Sequence, residues 1–262
     1  LLRNTLLWTT IGNHETAQPG SLSWTGPYLD IFHLPTAGEG GGLASGTERY
    51  YSFDYADIHF ICLDSMTSDR SPTGPMGTWL TNDLLATTRK WIIAFWHHPP
   101  YTKGSHGSDP GDLGYDVQIG EMRANTLPIL EAGGVDLVLS GHSHSYERSM
   151  LIDGHYGISS SLTPAMLKDD GDGKDAGDGA YGKDPGAHNG TVYSVCGSSG
   201  KTGGGSLDHP VMVTSLSVLG SLVVDIDGER LDARFIDNNG TIRDDFSILK
   251  SPLVTLSVDP AA

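Results

Sequence analysis

The sequence predicts an α/β fold, and three observations carry that expectation. Short, wholly apolar runs break off into polar loops, helix-spaced segments lie between them, and the second half is a series of β-rich runs separated by tight-turn residues. Residues 5–11 (TLLWTTI) read as a buried strand ending in Gly12-Asn13-His14-Glu15. Residues 16–46, rich in Gly, Pro and Ser, read as a long loop. The runs 50–55 and 58–63, split by Ala56-Asp57, predict a hairpin. Residues 76–88 place Trp79, Leu80 and Leu84 on one helical side, and 91–96 (WIIAFW) is a strand that runs into His97-His98-Pro99-Pro100-Tyr101. A helix is expected around 119–132, with Pro128 starting a new turn or kinking it. Residues 135–139 form another apolar strand, ending in Ser140-Gly141-His142-Ser143-His144. The runs 191–195, 211–226, 230–236 and 241–249 then predict an antiparallel meander that turns at Asp227-Gly228 and Asn238-Asn239-Gly240. Residues 251–262 read as a linker or the start of a following β domain, which leaves 1–250 as the main domain.

A chain of 262 residues can bury a sizeable core without a disulfide or structural metal to staple it. Its 35 Gly and 14 Pro signal many loops, but 37% hydrophobic residues exclude a disordered chain. Acidic residues outnumber basic ones 32 to 16, and the resulting charge of −16 repels phosphate backbones, which argues against sequence-independent nucleic-acid binding. No apolar run approaches the roughly 20 residues of a membrane span. Cys62 and Cys196 each lie in an apolar stretch, which suits buried free thiols better than the one disulfide they could form. The chain opens on Leu1-Leu2-Arg3-Asn4 without a signal segment, and its first methionine is Met66, so a processed or incomplete N-terminus is expected.

Three strands thus end in histidine-bearing loops, and in open α/β folds sites gather at the carboxyl ends of strands. Of the 11 histidines, six (His14, His97, His98, His106, His142 and His144) lie in or beside those loops. Neutral imidazole offers one directed lone pair and is the commonest transition-metal ligand, and the Asn13 amide adds a harder oxygen. His142 and His144, alternating after Gly141 on an extended strand end, are placed to face two neighbouring ions. A single loop histidine is ordinarily just solvated. Asn-His, His-His and His-x-His at three strand ends together point to a metal centre.

GNHE (12–15), HHPPY (97–101) and GHSHSYER (141–148), in that order, resemble the binuclear metallophosphoesterases, and specifically their purple-acid-phosphatase-like branch. The third block is the most specific, because most relatives share only GHxH. The resemblance implies two mixed β-sheets packed as a sandwich with flanking helices, and two transition-metal ions (Fe, Zn or Mn) acting on a phosphorylated small molecule. By the same resemblance, Asn13, His97 and His142 hold one ion and His144 the other. His14 contacts the substrate phosphate, His106 protonates the leaving group, and Glu15, His98, Tyr146 and Glu147 support the site from behind. Two cations about 3.5–4 Å apart can bind a phosphate, lower the pKa of a bound water and stabilise an in-line transition state. Such ions invert the local charge, so an acidic protein can still take an anionic substrate. A secreted or extracellular location is also implied.

The family places an Asp block and a GDxxY block upstream of GNHE, supplying a terminal carboxylate, a bridging carboxylate and, in purple enzymes, a metal-bound tyrosine. Here only 11 residues precede Gly12, and none is Asp, Glu or Tyr. The expectation is a domain incomplete at its N-terminus, whose missing ligands come from a further domain or chain. Gly111-Asp112-Leu113-Gly114-Tyr115 spells GDxxY, but no apolar strand leads into it, and it reads as coincidence. His14-Glu15-Thr16-Ala17-Gln18 lacks the second histidine of a zinc-protease helix, and Ser199-Gly200-Lys201-Thr202 lacks the first glycine of a phosphate loop, where Val195 stands. In the Asp- and Gly-rich stretch 169–186, Asp170, Asp172 and Asp175 offer oxygens for Ca2+ without completing an EF-hand, and a solvated loop is the stronger reading. The function expected is an acid-phosphatase-like phosphomonoesterase using metal-activated water, with a phosphodiesterase or nucleotidase as the rival within the class. A non-catalytic extracellular structural or binding protein that retains the fold is the rival outside it, favoured by the absent carboxylates and opposed by the intact histidine set.

Overall fold

The computed structural model describes residues 5–15 and 27–250. A short helix, α1 (Pro27–Ile31), precedes the expected hairpin of β1 (Tyr51–Tyr55) and β2 (Ile58–Cys62), which turns at a left-handed Ala56. Helix α2 (Pro75–Ala86) leads to β3 (Trp91–Trp96). The next helical stretch comes in three pieces: α3 (Val117–Glu121), a π turn (Met122–Thr126) and α4 (Leu127–Ala132), so Pro128 opens a new segment as its missing N–H requires. Then follow β4 (Leu137–Ser140), β5 (Tyr146–Ser149), β6 (Leu151–Ile152), β7 (Leu167–Asp169), β8 (Tyr181–Lys183), β9 (Val192–Cys196), β10 (Met212–Leu216), β11 (Gly220–Asp227), β12 (Arg230–Asp237) and β13 (Ile242–Lys250).

Seven strands form one mixed sheet in the order β1-β2-β3-β4-β9-β5-β10, with β2, β3, β4 and β9 mutually parallel. A second sheet, β11-β12-β13-β8, is an antiparallel meander with β8 added parallel at its edge. Period-two alternation within the wholly apolar strands explains how they pack. Ile92, Ala94 and Trp96 of β3 and Val138 of β4 face the helices, against Trp79, Leu80, Met122 and Leu130. Trp91, Ile93, Leu137 and Val192 face the second sheet, against Leu231, Ala233, Phe246 and Ile248. The result is two mixed sheets face to face with helices outside, as expected.

Several expectations are corrected. The run 191–195, expected in the meander, falls in β9 inside the first sheet, parallel to β4, and the expected loop 16–46 contains α1. Residues 5–11 make no strand ladder: Leu6 and Leu7 are exposed, and the Thr9 carbonyl accepts from the Tyr51 hydroxyl (2.7 Å) rather than from a neighbouring backbone. The run 211–226 is two strands in different sheets, broken at 217–219, because β10 pairs with β5 and β11 with β12. The strand end carrying His142 and His144 is a compact turn, described below. Both cysteines are free thiols; burial pushes Cys62 up to about 12 and Cys196 to about 11. Residues 16–26 of the expected long loop and the expected linker at 251–262 lie outside the described residues.

Candidate metal centre

Parallel pairing of Trp96 with Ser140 sets the two histidine loops side by side, and the Gly141 N–H donates to the His97 carbonyl (3.0 Å). The Gly12–Glu15 turn closes on the same spot, with the Gly12 N–H donating to the Glu15 carboxylate (2.9 Å). Gly12 lies so near the His97 ring that a Cβ would stand 2.8 Å from its Nδ1, so this approach needs glycine. After Gly141 the chain tightens through two successive short-range bonds, Ser143 N–H to Gly141 O (2.7 Å) and Ser145 N–H to Ser143 O (2.8 Å). His142 itself is left-handed, at φ 62°. A non-glycine residue held there costs of order 1–3 kcal/mol, and such strain gathers at functional sites. The turn sends the two histidines to different places, not alternately along an extended strand.

His142 joins His97 and Asn13. His97 Nε2 lies 2.9 Å from the Asn13 amide oxygen and 3.0 Å from His142 Nδ1. His98 sits behind them, its ring centroid 4.5 Å from that of His142 and its Nδ1 bonded to the Ser65 hydroxyl (2.9 Å). Burial, reinforced by the neighbouring His142 ring, holds His97 down to about 3 and His98 to about 2, so both are neutral with lone pairs available. His142 is lowered too, chiefly by burial. A borderline cation fits this donor set. Metal–nitrogen bonds of about 2.0–2.1 Å in a tetrahedral site put ligand atoms about 3.3 Å apart, and these need only open slightly.

His144 stands apart from that group. Its N–H donates to the Ser105 hydroxyl (2.9 Å), its ring centroid is 6.5 Å from that of His106, and burial together with the Lys201 charge lowers its pKa. Among the described residues it belongs to no cluster of three ligand groups. His14 is exposed on the Gly12–Glu15 turn. His106 packs on His142 at 3.9 Å between centroids, and its Nδ1 meets the Gly114 carbonyl (2.8 Å) and the Asp116 carboxylate (3.2 Å). The GDxxY segment therefore forms the wall beside His106.

The YER residues brace the site in two directions. Tyr146 and Arg148, on one face of β5, both reach Asp244 of the second sheet: the Tyr146 hydroxyl donates at 2.8 Å, and Arg148 donates through Nε and Nη2 at 2.7 and 3.1 Å. Burial alone would raise Asp244, yet the Arg148 guanidinium holds it low. Glu147, on the opposite face, accepts from the Thr102 hydroxyl, the Lys103 N–H (3.0 Å) and the Ser145 hydroxyl (2.7 Å), and so fixes the loop that presents Ser105 and His106.

Sequence reasoning missed Asp116, Asp244, Ser65 and Ser105, and dismissed the loop around Lys201. Of the chain's seven lysines, Lys90, Lys103, Lys168, Lys174, Lys183 and Lys250 each ion-pair with a carboxylate. Lys201 alone has no such partner among the described residues. Its loop lies against the site, where the Gly203 N–H donates to the His144 carbonyl (2.8 Å). The three aspartates singled out in the 169–186 stretch do not converge: Asp172 accepts from the Lys174 N–H (2.9 Å), Asp175 ion-pairs with Arg230, and among the described residues they share no ligand cluster with Asp170.

With two mixed sheets and a histidine cluster at the strand ends, the chain belongs to the calcineurin-like phosphoesterase family, which it matches over residues 2–146. Within it, the chain is similar to purple acid phosphatase 18 of Arabidopsis thaliana, with 36% identity over 112 residues, or 42% of this chain and 24% of that protein. The chain thus spans about a quarter of that relative's length. Among solved structures it is similar to a purple acid phosphatase from yellow lupin (Lupinus luteus) seeds, with a TM-score of 0.66, 18% identity, and 92% of this chain and 40% of that chain covered. It also resembles GAP50, the anchor in the inner membrane complex of Plasmodium, with a TM-score of 0.50, 16% identity, and 78% and 55% covered.

Proposed function

We propose that the chain works as an acid-phosphatase-like phosphomonoesterase, with residues 1–250 as its catalytic domain. The observation that carries this reading is the meeting of Asn13, His97 and His142 on one point beside two further rim histidines. Bound at that point and at His144, two ions of the Fe, Zn or Mn kind supply Lewis-acid stabilisation of phosphoryl oxygens and a water of lowered pKa. The remaining roles fall to the chain's own residues. His14 holds the substrate phosphate from the exposed turn. His106, whose Nδ1 hydrogen faces the Gly114 carbonyl, leaves Nε2 free toward the leaving oxygen, and in its doubly protonated form the ring would give up its Nε2 proton there. Lys201 draws the anion toward the rim against the field of an otherwise acidic chain.

A non-catalytic reading keeps two supporting observations: His144 lacks companion ligands among the described residues, and a similar fold serves an anchor protein. We place the protein outside the cell on the family resemblance. No described helix is long and apolar enough to cross a membrane. The deciding experiment compares hydrolysis of p-nitrophenyl phosphate and bis(p-nitrophenyl) phosphate by the metal-loaded 262-residue chain and by His142→Ala. Monoester turnover that disappears in the variant is expected. A preference for the diester moves the reading to a phosphodiesterase, and a folded, metal-binding chain inert toward both favours the non-catalytic protein.

A further inference from the structure

We propose that Asp116 is the positioning residue of this centre: its carboxylate fixes the tautomer of His142 and ties that ligand to His106. The inference rests on the metal-binding reading above. Asp116 Oδ2 lies 2.8 Å from His142 Nε2. A carboxylate at this distance accepts, so the His142 proton sits on Nε2, and Nδ1 keeps its lone pair toward His97 Nε2 at 3.0 Å. Metal-binding histidines are characteristically backed in this way by a carboxylate on the far nitrogen, which orients the ring and raises its basicity. The same oxygen accepts from His106 Nδ1 at 3.2 Å. One carboxylate therefore sets the geometry of a metal ligand and of the neighbouring proton donor.

A second observation marks this aspartate as diverted from an ordinary structural task. Asp116 occupies the N-cap position of α3, where an aspartate side chain normally accepts a backbone N–H of the first turn. Here it makes no such bond, and its carboxylate is turned to the two rings instead. The loop that delivers it is the GDxxY segment. Gly111 and Gly114 take left-handed backbone (φ 97° and 64°), the Gly107 N–H donates to the Leu113 carbonyl (2.8 Å), and Asp112 is anchored by Lys103 (2.6 Å). The motif thus serves the centre by carrying the residue that follows it.

The test uses the 262-residue chain with Zn2+ as the probe, in wild type, Asp116→Ala and Asp116→Asn. Histidine 15N chemical shifts of the metal-free protein report the His142 tautomer, and competition with a chromophoric chelator reports affinity. Asp116→Ala should lose the single Nε2–H tautomer and weaken Zn2+ binding about 10–100-fold. Asp116→Asn, whose amide oxygen still accepts, should restore the tautomer and most of the affinity. An unchanged tautomer and affinity in Asp116→Ala would overturn the proposal. So would an Asp116→Asn chain that keeps the tautomer but binds Zn2+ as poorly as alanine, since direct ligation by the charge would then be at work. Failure of the wild type to bind Zn2+ would sink the metal-binding reading, while the tautomer comparison would still judge Asp116.

Discussion

His97 holds Asn13 at 2.9 Å and His142 at 3.0 Å, behind a buried His98 and beside a glycine that leaves no room for a side chain. His144, two residues along from His142, has a backbone bond to Ser105 and ring neighbours at longer range. Both histidines belong to one motif, yet the first lies among matching donors and the second on an open rim. The difference teaches that a metal ligand is made by what converges on it. One corner of the centre brings three donor side chains together, and the other offers a single one.

The largest effect should come from the three-donor corner. His97→Ala is expected to weaken the tightly held transition ion at least about 100-fold and to abolish hydrolysis, whereas His144→Ala should leave that ion in place and remove only a weaker one. Calorimetric titration of both variants with Zn2+ checks this, and equal losses would erase the distinction between the corners. A smaller effect, on stability, probes what holds the two sheets in register at the site. Arg148→Ala takes its bidentate partner from the buried Asp244, which keeps Lys174 (3.0 Å), and should cost about 3 kcal/mol in urea unfolding, the low end for breaking a buried pair.

Acid sensitivity should follow from buried histidines away from the centre. Burial, helped by Arg123, holds His155 down to about 4, and burial holds His209 to about 3 although Asp109 opposes it. Neither ring nitrogen of His155 has a partner among the described residues. Depressed values mean stability that is present above about pH 6.5 and lost as pH falls through the folded values, at up to about 1.4 kcal/mol per pH unit for each proton. His155→Phe should flatten that slope between pH 6.5 and 4, and an unaltered slope would refute the assignment. Smallest of all, Lys201→Ala should raise the KM for an anionic monoester a few-fold with little change in kcat, and should reduce the dependence of kcat/KM on salt. A wild-type salt dependence in the variant would free Lys201 of any such role.

Most of the fold was legible because strand period and turn chemistry are local. WIIAFW, a six-residue apolar run that breaks into a polar loop, is too short for a helix and suits a strand covered on both faces, and the Asp227-Gly228 turn marks its hairpin unaided. Residues 5–11 were misread because their apolar pattern matches a strand, while a ladder needs a neighbour that no pattern reveals. The histidines of the centre were legible as motif positions. Asp116 was not, because its part depends on a loop folding ten residues back onto His106. Asp244 was equally hidden, lying 96 residues from Arg148 in the other sheet.

The measurement that tests the central claim most directly is a Zn2+ titration of the metal-free wild-type chain, read as ions bound per chain and the affinity of each. One tight equivalent followed by a clearly weaker second is the predicted result. No tight equivalent, or two of equal strength, would contradict the account of one three-donor corner and one open one.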